Sequence, residues 1–191
     1  MSAKLGLWEH FQKLFNFRGR EDRASFWPYA AVASIIIMVA GMFIFVPMMA
    51  QSAAAMQNYA ANHPGQATIT QGPDQYSISV QGHHPEFVNA GPIATYLGVT
   101  LGLAILLYAA AVVRRLHDRG KSGFWGLMPL PFVIYSSIMM PTVFASANEP
   151  NMALFFSIFF SNLVYIVTLI WLIVWLAGPS DPSLHRYDTD G

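Results

Sequence analysis

Leu154-Phe-Phe-Ser-Ile-Phe-Phe-Ser-Asn-Leu-Val-Tyr-Ile-Val-Thr-Leu-Ile-Trp-Leu-Ile-Val-Trp-Leu-Ala177 contains no Asp, Glu, Lys, Arg or His. As a helix this stretch is long enough to cross the hydrocarbon core of a bilayer, which takes about 20 apolar residues. Three further stretches share its character: Ala30 to Ala50, Ile93 to Val113 and Phe124 to Ala145. Each would reach on the order of 30 Å as a helix. Ionisable side chains are costly near the bilayer centre, and all four stretches exclude them. The expected fold class is therefore all-α and integral to the membrane, a four-transmembrane-helix bundle forming a single membrane domain over residues 1–191. The third stretch carries Pro129, Pro131 and Pro141. Proline removes a backbone donor and kinks a helix, so this span is either a bent crossing or a re-entrant segment. The clean crossing is favoured by the charge pattern of the loops.

That pattern is one-sided. Only 10% of the residues are charged and 54% are hydrophobic, with a mean hydropathy of +0.42, whereas soluble domains carry about 25% charged residues. Of the 10 basic residues, Lys4, Lys13, Arg18, Arg20 and Arg23 precede the first span. Arg114, Arg115, Arg119 and Lys121 join the second span to the third, and Arg186 follows the fourth. The loops 51–92 and 146–153 hold no Lys or Arg. By the positive-inside rule, the basic side is cytoplasmic, with both termini there and the chain in an inner (plasma) membrane. The first 29 residues are polar and aromatic and show no cleavable leader, so the first span is expected to serve as its own insertion signal. The absence of cysteine excludes disulfides, thiolate metal sites and cysteine nucleophiles.

Outside the spans, two segments have a regular pattern. Leu7, Trp8, Phe11, Leu14 and Phe15 recur at helical spacing, with Lys4, Glu9, Gln12 and Lys13 around the other side. This predicts a short amphipathic N-terminal helix, lying either in the headgroup region or against the protein's own cytoplasmic loop. In the outer loop, Thr68-Ile69-Thr70 and Tyr76-Ser77-Ile78-Ser79-Val80 alternate around Gln71-Gly72-Pro73-Asp74-Gln75, the pattern of a small hairpin.

Two basic motifs are the most informative residues. Phe17-Arg18-Gly19-Arg20-Glu21-Asp22-Arg23-Ala24-Ser25-Phe26-Trp27 leads into the first span, and Arg114-Arg115-Leu116-His117-Asp118-Arg119-Gly120-Lys121-Ser122-Gly123-Phe124-Trp125 links the second to the third. Both place arginines at the cytoplasmic interface and end in an aromatic pair where an interfacial belt is expected. On a helix continuing from the second span, Arg114 and Asp118 are four residues apart and can pair. Gly120 is placed to end that helix and Ser122 to cap the next. The two motifs closely resemble those of the bacterial inner-membrane family named domain of unknown function 805, and the resemblance extends over nearly the whole chain. The 51–92 loop is longer than the family pattern, and the tail His185-Arg186-Tyr187-Asp188 only loosely echoes an Asn-Arg-Tyr-Gly ending. The resemblance implies membrane location and little about activity.

Two readings of the arginines stand side by side. Arg18, Arg20, Arg23, Arg114, Arg115 and Arg119, with His117 and Asp118, are either topology and anchoring signals or a site for anionic lipid headgroups, since arginine offers forked donors that match phosphate oxygens. Gly120-Lys121-Ser122 is not a phosphate-binding loop, because Arg115 stands where that motif needs glycine. His83-His84-Pro85-Glu86, with His63, carries metal-ligand types, but adjacent histidines point apart in an extended chain and no metal or other cofactor is expected. Ala94, Gly98 and Gly102 form a small-residue ridge suited to helix packing, within one subunit or toward a second copy.

These features favour a non-enzymatic scaffold or lipid-contacting module. Its expected partners are membrane lipids, with a homo-oligomer or a membrane protein partner also open, and no nucleic acid. The alternative is a small-solute transporter or channel lined by Ser136, Ser137, Ser161 and Asn162, though the spans offer no ionisable group for a proton relay. Reporters fused after Gly191 or inserted near Gly120 should read cytoplasmic, and one near Gly72 external. A tail fusion reading external would make the third span re-entrant.

Overall fold

The computed structural model describes residues 6–72, 76–80, 87, 90–145 and 151–180. Four of its helical segments are long and apolar enough to cross a membrane, so the architecture is the four-span bundle expected from the sequence. A short helix α1 (Leu7–Gln12) precedes α2 (Arg23–Asn62), a hairpin of β1 (Ala67–Gln71) and β2 (Tyr76–Val80), and α3 (Ala90–Asp118). A 3-10 turn at Gly123–Leu127 leads into α4 (Leu130–Ala145), and α5 (Met152–Ala177) completes the bundle.

Local chemistry sets the helix ends. Asp22 caps α2, its carboxylate accepting from the Ser25 amide at 2.8 Å and the Ser25 hydroxyl at 2.7 Å. Helix α3 ends as the sequence predicts. The Gly120 amide donates to the His117 carbonyl and the Lys121 amide to that of Leu116, the paired bonds of a Schellman motif. This closure needs the left-handed backbone that Gly120 adopts at φ 66°. Ser122 then caps the 3-10 turn, accepting from the Phe124 amide at 3.3 Å. Span three is built as a 3-10 turn feeding an α-helix, with the Met128-Pro129 junction between them. Asn151 caps α5, accepting from the Leu154 amide at 3.0 Å.

Helix α2 is longer than the uncharged run that announced it. Its 40 residues span roughly 60 Å, about twice a hydrocarbon core. Large exposed apolar side chains extend along it from Ile35 to Met49. Beyond Met49 it carries Gln51, Ser52, Gln57 and Asn58, so its last turns form a polar arm that projects from the apolar band. The hairpin packs on this arm, pairing antiparallel with Thr68 opposite Ser79, Ile69 opposite Ile78 and Thr70 opposite Ser77. Tyr59 fixes the arm, its ring stacked on His63 at 4.2 Å and edge-on to Phe87 at 5.4 Å. The His83-His84-Pro85-Glu86 cluster lies outside the described residues. Among the described ones, no group of three or more His, Asp or Glu side chains could hold a metal ion.

The helices pack as successive neighbours, α2 on α3, α3 on α4 and α4 on α5, with α5 returning to α3. Contact is thin along the spans: between 11% and 22% of each apolar window is buried against the rest of the chain. The core gathers near the basic end, where Phe26, Tyr29, Ala30 and Ala33 of α2 meet Leu107, Ala111 and Leu116 of α3 and Leu172 and Leu176 of α5. Polar bonds stitch the pairs there and higher up. Tyr29 donates to the Leu107 carbonyl at 2.6 Å and Tyr108 to that of Ala30 at 2.7 Å. Between α4 and α5, the Tyr135 and Ser157 hydroxyls meet at 2.7 Å, and Ser161 donates to the Phe132 carbonyl at 3.1 Å.

Between α2 and α3 the closely packed glycine is Gly41, where an added Cβ would lie 3.2 Å from Thr100 and 3.3 Å from Tyr96. Gly98 and Gly102 face outward, and a Cβ on either would meet nothing within 4 Å. Within this subunit, the α2–α3 approach rests on Gly41 rather than on that ridge.

Candidate functional site

The two basic motifs meet at one end of the bundle. Gly19 makes this possible, since its φ of 89° is a left-handed conformation that favours glycine. The turn directs Arg20 and Glu21 inward, and the Glu21 amide donates to the Arg114 carbonyl at 3.3 Å. Glu21, Arg115 and Asp118 are fully buried, and Arg114 and Arg20 nearly so.

Each buried guanidinium is bonded by the protein itself. Arg114 donates through Nε to Glu21 Oε2 at 3.0 Å, and through one terminal nitrogen to the carbonyls of Lys13 at 3.0 Å and Asn16 at 2.6 Å. Arg115 donates through Nε to the Leu176 carbonyl at 2.9 Å, and through its fork to Asp118 and the Gly178 carbonyl. It also reaches Ser180 Oγ at 3.3 Å. Arg119 donates to the Trp175 carbonyl at 3.1 Å and to that of Pro179. Arg20 joins from the first motif, 3.4 Å from Asp118. His117 donates from Nδ1 to the Gly19 carbonyl at 3.3 Å.

The physical logic is helix capping at long range. The last carbonyls of a helix lack partners within it, and cations are favoured there by the helix dipole. Arg115 and Arg119 close the C-terminal end of α5, while Arg114 closes the segment following α1. Glu21 and Asp118 sit among these cations, as burial of a carboxylate requires.

One expected pairing is corrected. Arg114 bonds Glu21 rather than Asp118, and Asp118 pairs with Arg115, three residues earlier. The Gly19 turn delivers a carboxylate to Arg114, and Asp118 is left to the guanidinium that faces α5. The structure therefore assembles Arg20, Arg114, Arg115, His117, Asp118 and Arg119 into one hub. It leaves Arg18 and Arg23 exposed at the edge. Lys121 lies over the Trp175 ring, 4.2 Å from its centre, and Trp125 meets the same ring edge-on at 5.2 Å.

Sequence reasoning did not single out His10. It is fully buried, its ring stacked on Tyr29 at 4.4 Å and bonded to Glu21 Oε1 at 2.7 Å. Its signal was helical spacing, since His10 shares a face with Phe11 and Leu14, both packed on the core. For α1, one of the two expected settings is therefore realised on one face, which packs on the protein itself. Leu7, Trp8, Phe15 and Phe17 around it are exposed.

The pattern of the family described as protein of unknown function (DUF805) matches residues 14–189, covering both motifs and all four spans. The chain belongs to that family. No curated protein and no solved structure matches it. In this DUF805 protein the arginine motifs form one hub, which gives them a physical role independent of any ligand.

Lysine should not substitute for a buried arginine of the hub. Arg115→Lys keeps the charge but loses the fork that joins Asp118 to the end of α5, and should destabilise the protein by roughly 2 kcal/mol. Thermal unfolding in lipid nanodiscs measures this. An unchanged midpoint would reduce Arg115 to a topology signal.

Proposed function

We propose that this protein is a non-enzymatic multi-pass module of the inner membrane whose basic face is cytoplasmic and contacts anionic lipid headgroups. The observation that carries the reading is the division of labour among the arginines. Arg114, Arg115 and Arg119 are bonded to carboxylates and helix-end carbonyls, so a headgroup role falls to the exposed Arg18 and Arg23. Trp8, Phe15, Phe17, Phe124 and Trp125 are exposed as well, and these are residue types that settle at a membrane interface beside basic side chains. The lack of basic residues in 51–92 and 146–153 supports the orientation.

The transporter reading receives less support. Ser161 and Asn162, which could line a pathway, are bonded to the Phe132 and Ile158 carbonyls, and the Tyr135 and Ser157 hydroxyls are bonded to each other. Hydroxyls and amides engaged in this way hold membrane helices together.

Juxtamembrane arginines contribute about 1 kcal/mol each toward an anionic surface. Replacing Arg18 and Arg23 together by Gln should therefore lower the enrichment of anionic over zwitterionic lipid about thirtyfold. Native mass spectrometry of protein extracted from mixed-lipid nanodiscs measures that enrichment. Both side chains are exposed, so the fold should be retained. Equal enrichment in parent and variant would remove the lipid reading and leave a scaffold.

A further inference from the structure

We infer that α1 is a membrane-seated helix, with its Trp8 and Phe15 flank sunk into the headgroup–acyl boundary of the leaflet at the basic end of the bundle. Two anchors set its level. Near one end, His10 and Phe11 pack on the Tyr29 ring, with ring centres 4.4 Å and 5.6 Å away. Near the other, Arg114 donates to the carbonyls of Lys13 at 3.0 Å and Asn16 at 2.6 Å. Tyr29 is the residue before the uncharged stretch that starts at Ala30, and Arg114 follows the one that ends at Val113. The helix is fastened where two spans meet the membrane boundary, rather than out in the solvent beyond them.

The faces of α1 divide three ways. Residues advance about 100° around a helix, so His10 and Phe11 share one broad side. The bundle covers that side: His10 is fully buried, and Phe11 and Leu14 pack on the core. Glu9 and Gln12 lie nearly opposite, both exposed, and face water. Trp8 comes between these two sides. Phe15 falls on the same flank two turns later, in the turn that carries α1 on through the Lys13 amide bond to the Glu9 carbonyl. Both side chains are large and apolar, yet they are 72% and 78% exposed, so the protein does not cover them. An aromatic flank between a protein contact and a polar side, at the level where spans emerge, has the acyl boundary as its neighbour.

The tryptophans mark the same level. The chain has five, and all lie at the basic end: Trp8 on α1, Trp27 near the start of α2, Trp125 in the 3-10 turn, and Trp171 and Trp175 in the last two turns of α5. Trp125 and Trp171 both meet Trp175 edge-on, at 5.2 Å and 6.0 Å. Tryptophan concentrates at the membrane–water interface. Trp8 therefore extends, on a helix that does not cross, the belt that the other four make at the ends of the spans. In this position α1 takes up area in one leaflet only. Its seating draws on the membrane face proposed above but not on any preference for anionic lipid.

The chain has no cysteine, so Trp8→Cys, Phe15→Cys and Gln12→Cys can each carry a single spin label in the intact protein. Nanodiscs of phosphatidylcholine alone offer no anionic headgroup and keep this test separate from lipid enrichment. Electron paramagnetic resonance reads each label's access to oxygen, which dissolves in acyl chains, and to a water-soluble nickel chelate. The labels at positions 8 and 15 should favour oxygen and lie about 5–10 Å into the headgroup–acyl boundary, whereas the label at position 12 should favour nickel. A second measurement keeps the native side chain. The emission that Trp8 contributes, taken as the difference between parent and Trp8→Phe, should be quenched by lipid brominated near the top of its chains rather than by aqueous iodide. A label at position 8 or 15 as open to nickel as the one at position 12, or a Trp8 emission quenched by iodide alone, would overturn the seating and leave this flank to a soluble partner.

Discussion

A charge buried at the end of a membrane bundle has to be met by a partner, and this requirement organises the protein. Apolar helix faces gain little from one another in lipid, because the acyl chains are as apolar as they are. The thin contacts along these spans agree with that. Guanidinium groups are different. Removing one partner of a buried ion pair costs about 3–5 kcal/mol, so the arrangement that satisfies Arg114, Arg115, Glu21 and Asp118 together is strongly preferred over its alternatives. The bundle is joined most specifically at its basic end, where α2, α3, α5 and the N-terminal segment all supply a bonded group.

The motif Arg-Arg-Leu-His-Asp-x-Arg-Gly is then read as a piece of connectivity. Adjacent arginines on one helix point about 100° apart, and this lets Arg114 serve the N-terminal segment while Arg115 serves α5. Arg119, one turn on from Arg115, completes the same helix end. Gly120 stops α3 at this point, and the Schellman closure fixes where Lys121 and Trp125 begin. Lys121 and Trp125 both rest on Trp175, so the interfacial aromatic layer is built onto the hub. The arginines that remain at the surface are those outside this connectivity.

Much of the fold was legible because absence of charge over some twenty residues has one physical reading, and four such stretches gave four spans. The Gly120 stop, the Ser122 cap and the β1–β2 hairpin were legible from local chemistry in the same way. The overrun of α2 to Asn62 was not, since Gln51-Ser52-Ala53-Ala54-Ala55-Met56 reads as a loop by polarity although alanine is the best helix former. The partner of Arg114 was hidden for another reason: Glu21 lies 93 residues away, and only the Gly19 turn brings it there. Asp118 was the nearer candidate in sequence and went to Arg115. Gly98 and Gly102 carried the familiar packing spacing, but the single Gly41 faces Tyr96 and Thr100.

The account stands on the claim that Glu21 and Arg114 act together across the bundle. A double-mutant cycle with Glu21→Gln, Arg114→Gln and the combined variant, followed by thermal unfolding in nanodiscs, tests that claim most directly. Residues that share a buried network couple by about 0.5–3 kcal/mol, and the upper half of that range is predicted, with the double variant clearly more stable than the sum of the singles implies. Strict additivity would contradict the account and leave the two side chains as independent neighbours.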